Sequence, residues 1–113
     1  MKSIRSALLF SLLATSVQAG EYNIEDLYGA WCLKSLATSL DGERTPDNSS
    51  YEFTKEGRLN YKMGVFEQSG DYSISGNTIQ TMAMGNYDIV TLKENEMTLK
   101  YGTYFFFEKG SCN

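Results

Sequence analysis

From residue 30 onward the chain is cut into short stretches rich in β-branched and aromatic residues, with turn residues recurring between them at near-regular spacing. The breaks are Glu56-Gly57, Ser75-Gly76-Asn77, Gly85-Asn86, Glu94-Asn95-Glu96 and Gly102-Thr103. That rhythm leaves no room for helices between strands, and short connections require antiparallel neighbours. Strands are predicted over residues 30–37, 50–54, 58–63, 70–75, 78–84, 87–93, 97–101 and 104–109. A meander of this kind has two exposed edges unless its first and last strands pair. The expected fold is therefore all-β: a small up-and-down antiparallel barrel of about eight strands.

Alternation assigns the faces. In Arg58-Leu59-Asn60-Tyr61-Lys62-Met63 the odd positions are apolar and the even ones polar, and Met97-Thr98-Leu99-Lys100-Tyr101 follows the same rule. Tyr51/Phe53 and Tyr72/Ile74 repeat it. Tyr104-Phe105-Phe106-Phe107 is apolar on both faces, so one face enters the core and the other packs beneath the N-terminal turn or meets a partner. Ahead of the strands, Asn23-Ile24-Glu25-Asp26-Leu27-Tyr28-Gly29 reads as a short helical turn, capped by Asn23 and ended by Gly29. Residues 38–50 are polar and carry the single proline, Pro46; they are expected to form the one long loop.

Residues 1–19 have the pattern of a signal peptide. Lys2 and Arg5 precede the apolar run 7–14, and Val17-Gln18-Ala19 predicts cleavage before Gly20. The apolar run is shorter than the roughly 20 residues a helical membrane span needs. A periplasmic or secreted protein is expected, with residues 20–113 as one domain and a monomer as its state. Loss of Lys2 and Arg5 takes the formal charge from −4 to −6. An acidic surface disfavours nucleic acid and anionic lipid, both of which are bound through Lys and Arg. The two cysteines, Cys32 and Cys112, lie near the ends of the exported region, are too far apart for a CxxC motif, and are expected to pair in an oxidising compartment.

Chemistry-bearing motifs are sparse. The sequence has no histidine, which removes Ser-His-Asp and Cys-His schemes and the commonest metal ligand. Asp41, Glu43 and Asp47 lack the ligand spacing of a calcium loop, and the Glu94/Glu96 pair lies in a turn without acid–base geometry. Asn48-Ser49-Ser50 is a glycosylation sequon, meaningful in a eukaryotic host alone. No enzyme activity, cofactor or metal site is expected.

Gly29-Ala30-Trp31, following a helical turn and opening the first strand, resembles the G-x-W element of lipocalins. Tyr51-Glu52-Phe53 with Glu56-Gly57, then Ser69-Gly70-Asp71-Tyr72-Ser73-Ile74, Tyr87-Asp88-Ile89 with Leu92, and Met97-Thr98-Leu99 resemble the short lipocalin-like domains of exported bacterial proteins. The resemblance spans residues 29–109 and implies a lipocalin-like barrel whose closed end is plugged by Trp31. In larger lipocalins a basic residue of the last strand covers that tryptophan. Lys109 is the one basic residue near the end of this chain, and a Cys32–Cys112 staple would stand in for the missing arginine.

Two functions fit such a barrel. A carrier would hold a small apolar molecule against the inward candidates Tyr61, Met63, Tyr72, Ile74, Tyr87, Leu99 and Tyr101. A protein-binding module, an inhibitor or envelope accessory factor, would have a filled barrel and use the acidic loop 38–50 or the aromatic run 104–107. The two differ on whether the barrel encloses empty space.

Overall fold

A computed structural model describes residues 22–82 and 84–112; the expected signal segment 1–19 and the cleavage point before Gly20 lie outside the described residues. A single 3₁₀ turn, Ile24–Asp26, precedes β1 (Gly29–Ala37), β2 (Thr45–Phe53), β3 (Arg58–Met63), β4 (Phe66–Ser75), β5 (Thr78–Thr81), β6 (Asn86–Leu92), β7 (Glu96–Tyr101) and β8 (Thr103–Lys109). Each strand pairs antiparallel with the next, and β8 returns to β1, so the meander closes into a barrel with no free edge. The odd strands all run toward one end, called here the open end, and the 3₁₀ turn covers the other.

The boundaries differ from expectation in informative places. β2 begins at Thr45, so the loop is 38–44 and Pro46 lies in a strand, beside Ser35. It is tolerated because it sits near the start of β2, where a register shift between Leu33 and Ser35 interrupts the ladder. β4 starts at Phe66, four residues early, because Gly64 (φ 61°) makes a tight turn with Val65 that lets residues 66–69 pair with β3. β5 ends at Thr81 rather than at residue 84. Gly29 opens β1 instead of ending the helical turn; its φ of 111° is one that a side chain disfavours. The cap is as expected: the Asn23 side chain accepts a hydrogen bond from the Glu25 amide at 3.0 Å.

The inner face carries one continuous core that includes Leu27, Trp31, Leu33, Phe53, Leu59, Ile79, Met97, Leu99 and Phe107, all buried. At the closed end Trp31 Nε1 donates to the buried carbonyl of Leu27 at 2.8 Å. Lys109 Nζ lies 4.5 Å from the Trp31 ring centre and donates to the carbonyls of Asp26 and Tyr28 at 2.8 and 2.7 Å. Lys109 therefore takes the covering position, and the Cys32–Cys112 disulfide is present as well, closing a sequence separation of 80 residues. The outer face of the aromatic run is covered by cations rather than by the N-terminal turn: the Arg44 guanidinium sits 3.5 Å above Phe106, and Lys100 Nζ is 5.2 Å from Tyr104.

Candidate functional site

The residues proposed to line a pocket share the inner face of the barrel but stand at different heights along it. Leu99 is fully buried in the core, and Tyr87 is buried beside it. Tyr72 and Ile74 stand near the closed end, packed against the core; the Tyr72 hydroxyl donates to the Thr54 carbonyl at 2.7 Å, and its ring meets Phe53 edge-on at 5.2 Å. Tyr61, Met63 and Tyr101 reach the open end, where Met63 and Tyr101 are half exposed instead of enclosed. Strand length explains the difference. The strands continue past the core layer, so the last inward position of β3 and of β7 rises above it.

The lumen is crossed at mid-height by aromatic rings. Tyr51 on β2 meets Tyr61 at 5.0 Å and Phe107 at 4.9 Å, both edge-on. The phenols of Tyr51 and Tyr87, on β2 and β6, opposite walls of an eight-stranded barrel, stand near enough to influence each other's ionisation. Tyr87 in turn meets Tyr101 at 5.3 Å and Phe105 at 5.5 Å. Burial raises the phenol pKa of Tyr51 and of Tyr87 above the ordinary value, and pushes Tyr72 up to about 12. These phenols are neutral structural groups at neutral pH. Below the crossing, Trp31, Phe53, Leu59, Met97 and Leu99 fill the barrel with almost no exposure.

Open space lies on the outside. A groove of about 510 Å³ runs over the outer wall of β2, β3 and β4, lined in part by Glu52, Asn60, Lys62, Glu67, Ser69 and Ser111. Its floor is a polar ladder: Ser69 Oγ donates to Asn60 Oδ1 at 2.8 Å, and Asn60 Nδ2 donates to Glu52 Oε1 at 3.1 Å. That ladder satisfies its own members across three strands, as cross-strand polar pairs do on a solvated face.

The open end has a different character. Of the large apolar side chains that stand exposed among the described residues, Leu40, Met63, Val65, Phe66, Met82 and Tyr101 belong to it and Val90 lies elsewhere. Val65 is fully exposed and Met82 is 82% exposed. They lie in, or at the strand ends flanking, the four connections of that end: the loop 38–44, the β3–β4 turn, the β5–β6 turn and the β7–β8 turn. The last three carry no charged residue. Alternation finds Met63 and Tyr101 but not Val65 and Met82, which lie in turns. The signal in the sequence is compositional: Met63-Gly64-Val65-Phe66 and Met82-Ala83-Met84 are apolar where turns are ordinarily polar.

No family model matches the sequence, and no curated protein matches it. Solved structures do. A lipocalin-like protein from Bacteroides uniformis superposes with a TM-score of 0.62 at 21% identity, covering 75% of this chain and 99% of that one. The fold is lipocalin-like. An uncharacterized protein from Bacteroides eggerthii matches with a TM-score of 0.59 at 19% identity, over 75% of this chain and 100% of its own. Among the described residues, no helix is long and apolar enough to cross a membrane.

Proposed function

We infer that this protein is an exported lipocalin-like binding module that engages a protein partner through its open end and carries no molecule in its lumen. The observation that carries this reading is the pairing of a filled, ring-crossed barrel with six exposed apolar side chains gathered on the connections of one end. Contiguous exposed apolar surface marks an interaction site. The complementary partner is an apolar patch bordered by basic groups, since Asp41 and Glu43 stand in the loop beside the rim and the mature chain carries net negative charge. Cleavage before Gly20 would deliver residues 20–113 to a periplasmic or extracellular space, and the disulfide supports that placement. Without histidine, and on a fold of this type, a binding role fits better than catalysis.

The test uses a photo-crosslinking residue at Val65 and, as a control, at Ser73 on the outer wall, in protein exported by its own host. A discrete protein adduct from Val65 alone is the expected result. Native mass spectrometry of the same protein decides the carrier reading. A stoichiometric small apolar molecule, released on unfolding, would overturn the protein-partner assignment.

A further inference from the structure

Three of the five methionines, Met63, Met82 and Met84, lie at the open end, and Met97 lies in the core. We propose that Met63 and Met82 are sulfoxidation sites whose oxidation by a peroxide switches off the apolar rim. This rests on the rim being the binding surface. Accessibility separates the methionines: Met82 is 82% exposed and Met63 50%, whereas Met97 is 1% exposed. Both cysteines are held in the disulfide, so among the described residues no thiol competes for the oxidant. An extracytoplasmic protein meets peroxides directly.

The chemistry balances simply. The thioether sulfur supplies two electrons, the peroxide O–O bond breaks, one oxygen becomes the sulfoxide oxygen, and the other leaves as water. The product replaces an apolar, pliable side chain with a polar one bearing a strong hydrogen-bond acceptor. Met63 has a further consequence. Its Sδ lies 3.6 Å from the Tyr61 hydroxyl, within reach of that O–H donor. A sulfoxide oxygen there is a better acceptor for the same hydroxyl, which draws the side chain against the inner wall. Met82 has no such neighbour and simply becomes polar where it projects.

The experiment treats the folded, disulfide-bonded protein with hydrogen peroxide and follows each methionine by peptide mass mapping. Retention on phenyl-agarose reads the apolar rim, and a Met63→Leu/Met82→Leu variant is run in parallel. Met63 and Met82 are expected to gain oxygen at least about tenfold faster than Met97, as thioether exposure dictates. Retention of the wild type should then fall at an unchanged melting temperature, while the leucine variant keeps its retention through the same treatment. Undiminished retention of oxidised wild type overturns the switch and leaves the rim reading standing. So does a loss of retention in the leucine variant equal to that of the wild type. Failure of untreated wild type to be retained overturns the rim reading, and the switch with it.

Discussion

The two ends of this barrel are made by the same eight strands and have opposite chemistry. The closed end is braced three times: Trp31 is buried and bonded to Leu27, Lys109 ties the last strand to the carbonyls of the N-terminal turn, and the disulfide fixes the C-terminus to β1. Its connections carry charge, with Glu25 and Asp26, Lys55 and Glu56, and Lys93 and Glu94. The open end has no such brace; its three tight turns are uncharged and display Val65, Phe66 and Met82 to solvent. Stability is concentrated where charge is kept outside and apolar groups are covered. On the binding role proposed above, recognition is concentrated where that rule is broken. A protein gains nothing in its own folding from a fully exposed valine at a turn, so the breach of the rule points to something outside the fold.

The contrast can be broken most severely at the closed end. A Cys32→Ala/Cys112→Ala variant loses a crosslink across 80 residues, worth about 4–5 kcal/mol in the chain-entropy model. A large fall in the denaturant midpoint is expected in equilibrium unfolding, with rim-dependent retention on phenyl-agarose intact in whatever fraction stays folded. Trp31→Ala follows, at about 3–5 kcal/mol for a buried aromatic truncation. Native Trp31 emission should be blue-shifted and move to the red on unfolding; a red, easily quenched native emission would contradict its burial.

The ring crossing stands between the two ends in effect. Tyr51→Phe removes a hydroxyl buried among the Tyr61 and Phe107 rings and should change stability by no more than about 1.5 kcal/mol. The same tyrosines predict an alkaline limit. Unfolded phenols ionise near pH 10, whereas the folded values of Tyr51, Tyr72 and Tyr87 lie higher, that of Tyr72 at about 12. The unfolded state therefore sheds protons first. Their contribution to stability is complete below pH 10 and is lost as pH rises through the folded values. Thermal melts across pH 8 to 12 should show the decline beginning near 10.

The smallest expected effect on stability is at the rim. Val65→Ser with Met82→Ser should leave the denaturant midpoint within about 0.5 kcal/mol of wild type, as solvent-facing substitutions do. The same pair should lower retention on phenyl-agarose, which reads the apolar rim. A stability loss comparable to that of Trp31→Ala would mean that these side chains are packed, and would erase the distinction between the ends.

Much of the fold was legible in one dimension. Turn residues at short intervals forced antiparallel neighbours, and period-two alternation placed Leu59, Met97 and Leu99 on the inner face, where each is buried. Those signals are local, because turn geometry and strand pleat act within a few residues. The closure of β8 onto β1, the Lys109 cover and the crossing of the lumen by Tyr51 and Tyr87 join residues 36 or more positions apart, and no local pattern encodes them. The heights of the candidate residues were illegible for the same reason. Alternation says which side of the sheet Met63 and Tyr101 face, but not how high they stand along the barrel axis; strand length and register decide that height. Thus the sequence by itself determined an all-β barrel with two bonded cysteines and an inward apolar face. Tertiary structure alone decided that Trp31, Phe53, Leu59, Met97 and Leu99 pack into one core and that Leu40, Met63, Val65, Phe66, Met82 and Tyr101, scattered over some sixty positions of chain, gather at one end. Closing the sheet brings every second connection to the same rim, and that is a property of the closed barrel and not of any segment within it.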